Sequence, residues 1–272
     1  MTKNIPKSKP AKPELKKSKS GSMRSFIEGF LFEVFHMDRR IFITIRTLLL
    51  KPGMLTRSRF QNSKKFIPPL KLYLSVNFLF FLIIPLLTTY RFQIFNFNVE
   101  RLSHGNTFYQ SLIEKQIEDK GISPEIYAER FNAHLKYNQP ALVFLIVPFF
   151  ALLVYVVNIK SRCTFTEHVI FSTHFTTFFL TLLIMLIVAY RLLYLIIRLF
   201  ASSDGPMALI LFFLCALIFI FYLAAAQKNS YRDRWLPAFL KSIFMSVGFF
   251  MIFAAYIHFL FFFTLLALKL GY

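Results

Sequence analysis

Five stretches of about 20 residues, each almost free of charge, constrain this chain more than any other feature. They lie at about residues 70–90, 141–157, 169–190, 207–226 and 243–268. A helix needs ~20 mainly apolar residues to cross the hydrocarbon core of a bilayer, and each stretch comes near that length. No Asp, Glu, Lys or Arg lies deep inside any of them. The sequence therefore predicts an all-α membrane protein, a bundle of about five transmembrane helices.

The composition separates this chain from several classes of protein. Of its 272 residues, 56% are hydrophobic, while 32 Lys and Arg against 13 Asp and Glu give a net charge of +19. A soluble nucleic-acid-binding protein would share the charge but not the long uncharged runs, and the same runs exclude a disordered protein and an ordinary soluble enzyme. Cys163 and Cys215 form no CxxC pair, so neither a structural zinc site nor a disulfide framework is indicated.

The chain divides into three regions. Residues 1–22 are rich in Lys, Pro and Ser and predict a disordered basic tail. Residues 23–66 predict a cytoplasmic amphipathic helical segment, and residues 67–272 the transmembrane domain. In the second region apolar residues recur at steps of three and four, at Phe30, Val34, Met37, Ile41, Ile45 and Leu48. We expect the membrane to bury this stripe, and Lys51-Pro52-Gly53 to end the helix.

Residues 91–140, between the first two spans, predict an external helical loop. A short helix should end at Gly121. Ser123 can cap a second helix, and Pro124 suits its first position. An apolar stripe marks this second helix, at Tyr127, Phe131 and Leu135.

The distribution of basic residues predicts how the chain is threaded. Lys and Arg number 23 on the side of the N-terminus and nine on the other side. Because cytoplasmic segments carry the excess of Lys and Arg, we expect the N-terminus in the cytoplasm and the C-terminus outside. Residues 191–200 (RLLYLIIRLF) are predicted to prolong the third span along the outer interface.

The basic cytoplasmic face is the strongest functional signal. Lys or Arg near an anionic membrane surface contributes about 1 kcal/mol each, so we expect this face to bind anionic lipid. Nucleic acid is a less suitable partner, because the aromatic residues among these charges fall on or near the stripe that the membrane would bury. The alternative is that the charge serves only to fix the topology. The candidate lipid-binding residues are Lys16, Lys17, Lys19, Arg24, Arg39, Arg40 and Arg46.

Glu167, His168 and His174 form a candidate polar site at the start of the third span. A metal shared with His258 is not expected. His174 lies ~8 Å and His258 ~22 Å from the inner edge of the membrane, at 1.5 Å per residue. We expect both histidines to be neutral and to hydrogen-bond between helices. We predict no catalytic residue, no metal and no cofactor, and we favour a protein that is not an enzyme.

Three stretches, in this order and spacing, resemble a bacterial family of uncharacterised multi-pass inner-membrane proteins. The first is residues 46–53 (RTLLLKPG), followed by a basic connector and residues 68–74 (PPLKLYL). The second is residues 167–175 (EHVIFSTHF), and the third is residues 222–224 (YLA) followed by Tyr231. The resemblance implies a location in the bacterial inner membrane but no reaction. Many members begin with a zinc ribbon of paired CxxC, which this chain lacks, so it implies no zinc role.

These observations predict an integral inner-membrane protein that binds lipid, or a protein partner, through its basic cytoplasmic face. The protein partner could also be a second copy of the chain, in a homo-oligomer. Two alternatives stay open. One is a transporter or channel subunit, and the other is a membrane-embedded lipid-modifying enzyme that uses Glu167, His168 and His174.

Overall fold

The computed structural model describes residues 39–61, 63–87, 107–200 and 205–270. The predictions for the tail 1–22, for residues 23–38 and for the candidate residues Lys16, Lys17, Lys19 and Arg24 lie outside this part of the chain. The described residues contain no strand, which confirms the predicted all-helical fold. Their α-helices are α1 Arg39–Leu50, α2 Met54–Phe60, α3 Pro69–Leu87, α4 Thr107–Lys120, α5 Pro124–Leu142, α6 Ile146–Val157, α7 Phe165–Phe200, α8 Gly205–Tyr231 and α9 Trp235–Lys269.

Within the described residues, five helical segments are long and apolar enough to cross a membrane, as predicted. They are Pro69–Leu86, Pro124–Val157, Phe165–Leu192, Phe213–Tyr231 and Trp235–Lys269. Helix α7 continues beyond the third span to Phe200, so residues 191–200 prolong this helix as predicted. The five segments make this an integral, multi-pass membrane protein by its architecture.

The second span differs from its prediction because it does not begin as a separate element. Helices α5 and α6 are joined by a short 3-10 turn, Val143–Leu145, into one rod. Pro148 lacks a backbone N–H and therefore donates nothing to the carbonyl of Phe144, which lies in that turn. The loop helix and the span are thus continuous rather than separated at residue 140.

Helix α7 is the centre of the bundle. All ten residues from Phe171 to Leu180 are buried, and α7 packs against α1, α2, α3, α6 and α8. Phe175 shows how: its ring centroid lies 5.0 Å from that of Phe219 and 5.1 Å from that of Phe150. A membrane helix that is apolar all round can be surrounded by lipid or by protein, and at residues 171–180 of α7 the neighbours are protein.

Helices α4 and α5 pack against the end of α9. Ser123 caps α5 by accepting a hydrogen bond from the Ile126 backbone N–H, as predicted. The predicted stripe of Tyr127, Phe131 and Leu135 is buried. The Lys120 ammonium donates to the carbonyl of Leu268, where the last turn of α9 leaves carbonyls without partners.

Candidate functional site

Helices α1 and α2 are joined by a tight turn at Lys51-Pro52-Gly53. Gly53 has φ +77°, a left-handed conformation that side chains with a Cβ adopt at a cost. The helix therefore ends where the sequence predicts, and α2 leaves in a new direction.

Side chains of α8 hold this turn in place by donating hydrogen bonds to the backbone carbonyls of the turn and of the end of α1. The Asn229 amide donates to the carbonyl of Pro52 over 2.8 Å, and the Ser230 hydroxyl donates to that of Gly53 over 3.4 Å. Tyr222 Oη donates to the carbonyl of Leu48 over 2.7 Å. The Leu48 carbonyl lies in the last turn of α1, where a helix leaves its carbonyls without partners, so the bond from Tyr222 satisfies it. The Gly53 carbonyl also accepts from the Arg57 backbone N–H at the start of α2, over 2.9 Å.

The apolar stripe of α1 corrects one expectation. Leu48 is buried, and Ile41 and Ile45 are half-buried against the protein core rather than against lipid. The opposite face of α1 presents a second set of apolar side chains: Phe42 is 60% exposed and Leu50 67%. The face that is free to meet a membrane is thus not the one that the stripe indicates.

His174 connects α7 to α2. Its Nδ1 lies 3.0 Å from Thr56 Oγ1, and both side chains are buried, so an interhelical hydrogen bond forms as predicted for this histidine. Beside them is a cavity of about 10 Å³, lined in part by Lys51, Gly53 and Tyr222. That volume has room for about one water molecule.

His168 bonds to a different helix. Its Nδ1 lies 2.7 Å from Tyr231 Oη of α8, and the two rings stack at 15° with centroids 5.5 Å apart. The ring of Tyr155 lies edge-on to the imidazole at 5.6 Å. His168 is therefore held from two sides.

Glu167 has a helix-capping role. Its carboxylate accepts from the Thr164 backbone N–H over 2.7 Å and from the Thr164 hydroxyl over 3.1 Å. Thr164 and Glu167 stand three residues apart at the start of α7, the spacing of a capping box. The three candidate residues, Glu167, His168 and His174, thus engage three separate partners.

His258 departs from its prediction. It is exposed, and its Nδ1 lies 2.7 Å from the carbonyl of Ala254 in its own helix. The predicted interhelical hydrogen bond is wrong for this residue, because the side chain lies on the outside of α9. Its ring contacts that of Tyr109 of α4, with centroids 6.0 Å apart.

A polar network at the end of the bundle that holds His168 and His174 was missed by sequence reasoning; its Asn158 and Gln227 are buried, and its Asp233 and Lys241 are half-buried. Lys241 Nζ lies 2.7 Å from Asp233 Oδ2 and 3.0 Å from Asn158 Oδ1. The Gln227 amide also donates to Asn158 Oδ1. The network ties the loop after α6 to the connection between α8 and α9. Asp233 and Lys241 stand eight residues apart, beyond the spacing of three or four at which a sequence indicates an ion pair, and Asn158 is distant in the chain.

The contacts of the docked turn, of His168 and His174 and of the Asn158 network bring the basic segments together at one end of the bundle, here called the basic end. It comprises α1 and α2 with the connector to α3, the loop 158–164, and the connection between α8 and α9 with its flanking turns. Residues 39–71, 158–164 and 228–241 hold fifteen Lys and Arg and one acid, Asp233. Arg40 and Arg46 of the candidate set are exposed there. The helix face that carries Arg46 also carries Phe42, Ile43 and Leu50.

Comparison with known families gives one match. Residues 38–81 match the family DUF3667, which is described as a protein of unknown function. The matched segment contains α1, α2 and most of α3, and so includes the docked turn and Thr56. No curated protein and no solved structure matches the chain.

Proposed function

We propose that this protein binds the anionic surface of the membrane in which it is embedded, through its basic end. One observation carries the proposal: the outer face of α1 combines exposed Phe42, Ile43 and Leu50 with Arg46. An amphipathic surface helix with apolar and basic residues on one side lies at the level of lipid headgroups.

The docking of α1 and α2 supports this function. A helix of 12 residues is marginal alone in water, and the bonds from Tyr222, Asn229 and Ser230 hold this one at a fixed position on the bundle. Exposed Arg46 of α1 and Arg57 of α2 are thereby carried on a rigid support. A preorganised set of charges loses little entropy when lipid binds.

The proposed threading of the chain follows from the charge of the basic end. With the basic end in the cytoplasm, the N-terminus is cytoplasmic and the C-terminus external, and the anionic leaflet faces the excess of Lys and Arg. The bacterial inner membrane is the location that fits this charge asymmetry and the family resemblance.

Titration of the full-length, detergent-solubilised protein with phosphatidylglycerol and phosphatidylcholine tests the proposal, with bound lipids counted by native mass spectrometry. The double variant Arg46→Gln/Lys64→Gln removes two exposed charges from the basic end. At about 1 kcal/mol per charge, affinity for phosphatidylglycerol should fall by a factor of about 30. Phosphatidylcholine binding should change little.

The matched control is Lys115→Gln/Lys136→Gln, which removes two exposed charges from the opposite end. It should leave the affinity of the basic end unchanged. An equal loss in both variants would show that net charge, rather than the basic end, attracts the lipid. Equal affinity of the unaltered protein for the two lipids would refute the proposal.

The two alternative functions receive less support from the geometry. A transporter needs a polar pathway between spans, and the cavity beside His174 has room for about one water. A lipid-modifying enzyme needs its polar groups to converge. Glu167 instead caps α7, while His168 and His174 bond to Tyr231 and Thr56.

A further inference from the structure

A groove of about 620 Å³ lies between α5 and α9, at the end of the bundle opposite the basic end. On each helix the lining residues recur at the spacing of a single face. The groove is therefore the space between two helix faces. Its lining residues are Ala133, His134, Tyr137 and Asn138 of α5, and Phe263, Leu266 and Ala267 of α9 with Leu270, the residue that follows α9.

The two walls differ in chemistry. The α9 wall is entirely apolar, whereas the α5 wall offers the imidazole of His134 and the amide of Asn138. One alanine on each wall, Ala133 and Ala267, leaves space that a larger side chain would fill. A groove with one apolar and one polar wall suits an amphiphile rather than a purely apolar or a purely polar ligand.

The groove lies at the level where the apolar part of the membrane ends. On α9 its residues come at the end of the apolar run 243–268, and on α5 they come just before the apolar run 141–157. Tyr137, 76% exposed, stands at this level, where tyrosines are enriched in membrane proteins. The polar wall therefore lies near the headgroups and the apolar wall continues into the hydrocarbon.

A basic residue extends the polar wall outward. Arg130, His134 and Asn138 follow one another at steps of four on α5, so they share one side of the helix. Within the described part of the chain, none of the three side chains makes a hydrogen bond or an ion pair. A guanidinium can bind two phosphate oxygens at once, and it is the natural partner of a lipid phosphate at this position.

We infer that the groove binds one phospholipid, with an acyl chain against Phe263, Leu266 and Leu270 and its phosphate beside Arg130 and His134. This site is independent of the proposed function, since it lies at the other end of the bundle and uses none of the same residues. Its occupant is also of a different kind: a single bound lipid rather than a membrane surface.

Filling the groove tests the inference. The variant Ala133→Leu/Ala267→Leu occupies the space from both walls, and Ala254→Leu/Ala255→Leu makes the same change at exposed positions of α9 outside the groove. Delipidated full-length protein would be titrated with phosphatidylglycerol and followed by native mass spectrometry. The unaltered protein and the control should retain one lipid that the groove variant loses.

A second variant keeps the test decisive if the filled groove disturbs folding. Arg130→Gln changes an exposed side chain only, and loss of a charged hydrogen bond should lower the affinity of the retained lipid by about tenfold or more. The basic-end variant Arg46→Gln/Lys64→Gln should keep this lipid. Unchanged retention in both the Arg130 variant and the filled-groove variant, or equal loss in the control, would overturn the inference.

Discussion

Replacement of Gly53 with Ala measures how closely the turn between α1 and α2 is fitted to the bundle. The φ of +77° costs an L residue about 1–2 kcal/mol. The new methyl group would also lie 2.6 Å from the carbonyl oxygen of Ala226 and 2.9 Å from Ser230 Oγ. Since the Ala226 carbonyl belongs to the backbone of α8, the turn has to withdraw.

Withdrawal breaks the hydrogen bonds from Asn229 and Ser230 to the turn. Interhelical hydrogen bonds in membranes average about 0.6 kcal/mol, so the two bonds add about 1 kcal/mol to the backbone cost. The free energy of unfolding should therefore fall by about 2–3 kcal/mol. Titration of the folded protein in mixed micelles with a denaturing detergent, followed by circular dichroism, gives this quantity.

Gly121 supplies the control, because its φ is +59° but nothing lies within 4 Å of the position of its Cβ. Gly121→Ala should cost only the backbone part, about 1–2 kcal/mol. If Gly53→Ala destabilises the protein no more than Gly121→Ala does, the turn is not held against α8 and the argument fails.

Four further results are expected. An impermeant maleimide should label a Ser103→Cys variant from outside intact cells but leave Cys163 unlabelled until the membrane is permeabilised; labelling of Cys163 from outside would reverse the threading. Burial raises the pKa of the Cys163 thiol, so in permeabilised cells its labelling rate should increase about tenfold from pH 7 to pH 8, as the thiolate fraction grows. His174→Gln should fold, and elemental analysis should find the same metal content as in the unaltered protein; a stoichiometric metal that the variant loses would show a site. Tyr222→Phe removes the donor to the carbonyl of Leu48 and should lower the free energy of unfolding by about 0.6 kcal/mol in the same detergent titration. A loss above ~2 kcal/mol would mean that other contacts of the turn break together with this hydrogen bond.

The sequence predicts the spans well because length and apolarity are local properties. A stretch of ~20 apolar residues has few alternatives to a helix across a bilayer, and the five segments follow from that constraint. The start of α5 is equally local: Ser123 and Pro124 indicate it without reference to any other helix.

The candidate site was harder to predict because its contacts join residues far apart in the chain. Thr56 meets His174 across 118 positions, and no periodicity links them. The two apolar faces of α1 show the same limit. An apolar stripe such as Ile41, Ile45 and Leu48 predicts that these side chains are buried. Because a protein core and lipid tails are equally apolar, the pattern does not indicate whether protein or lipid covers them.

The docked turn has a consequence for how the protein is made. Leu48 leaves the ribosome 174 residues before Tyr222, the residue whose hydroxyl will hold it. At ~5–20 residues per second, that interval lasts roughly 9–35 s. During this interval α1 has left the ribosomal exit tunnel, but α8, against which it docks, has not yet been synthesised. Both apolar faces of α1 are therefore still uncovered. Nascent α1 therefore requires a temporary host, either the lipid interface or a chaperone, until the fourth span is inserted.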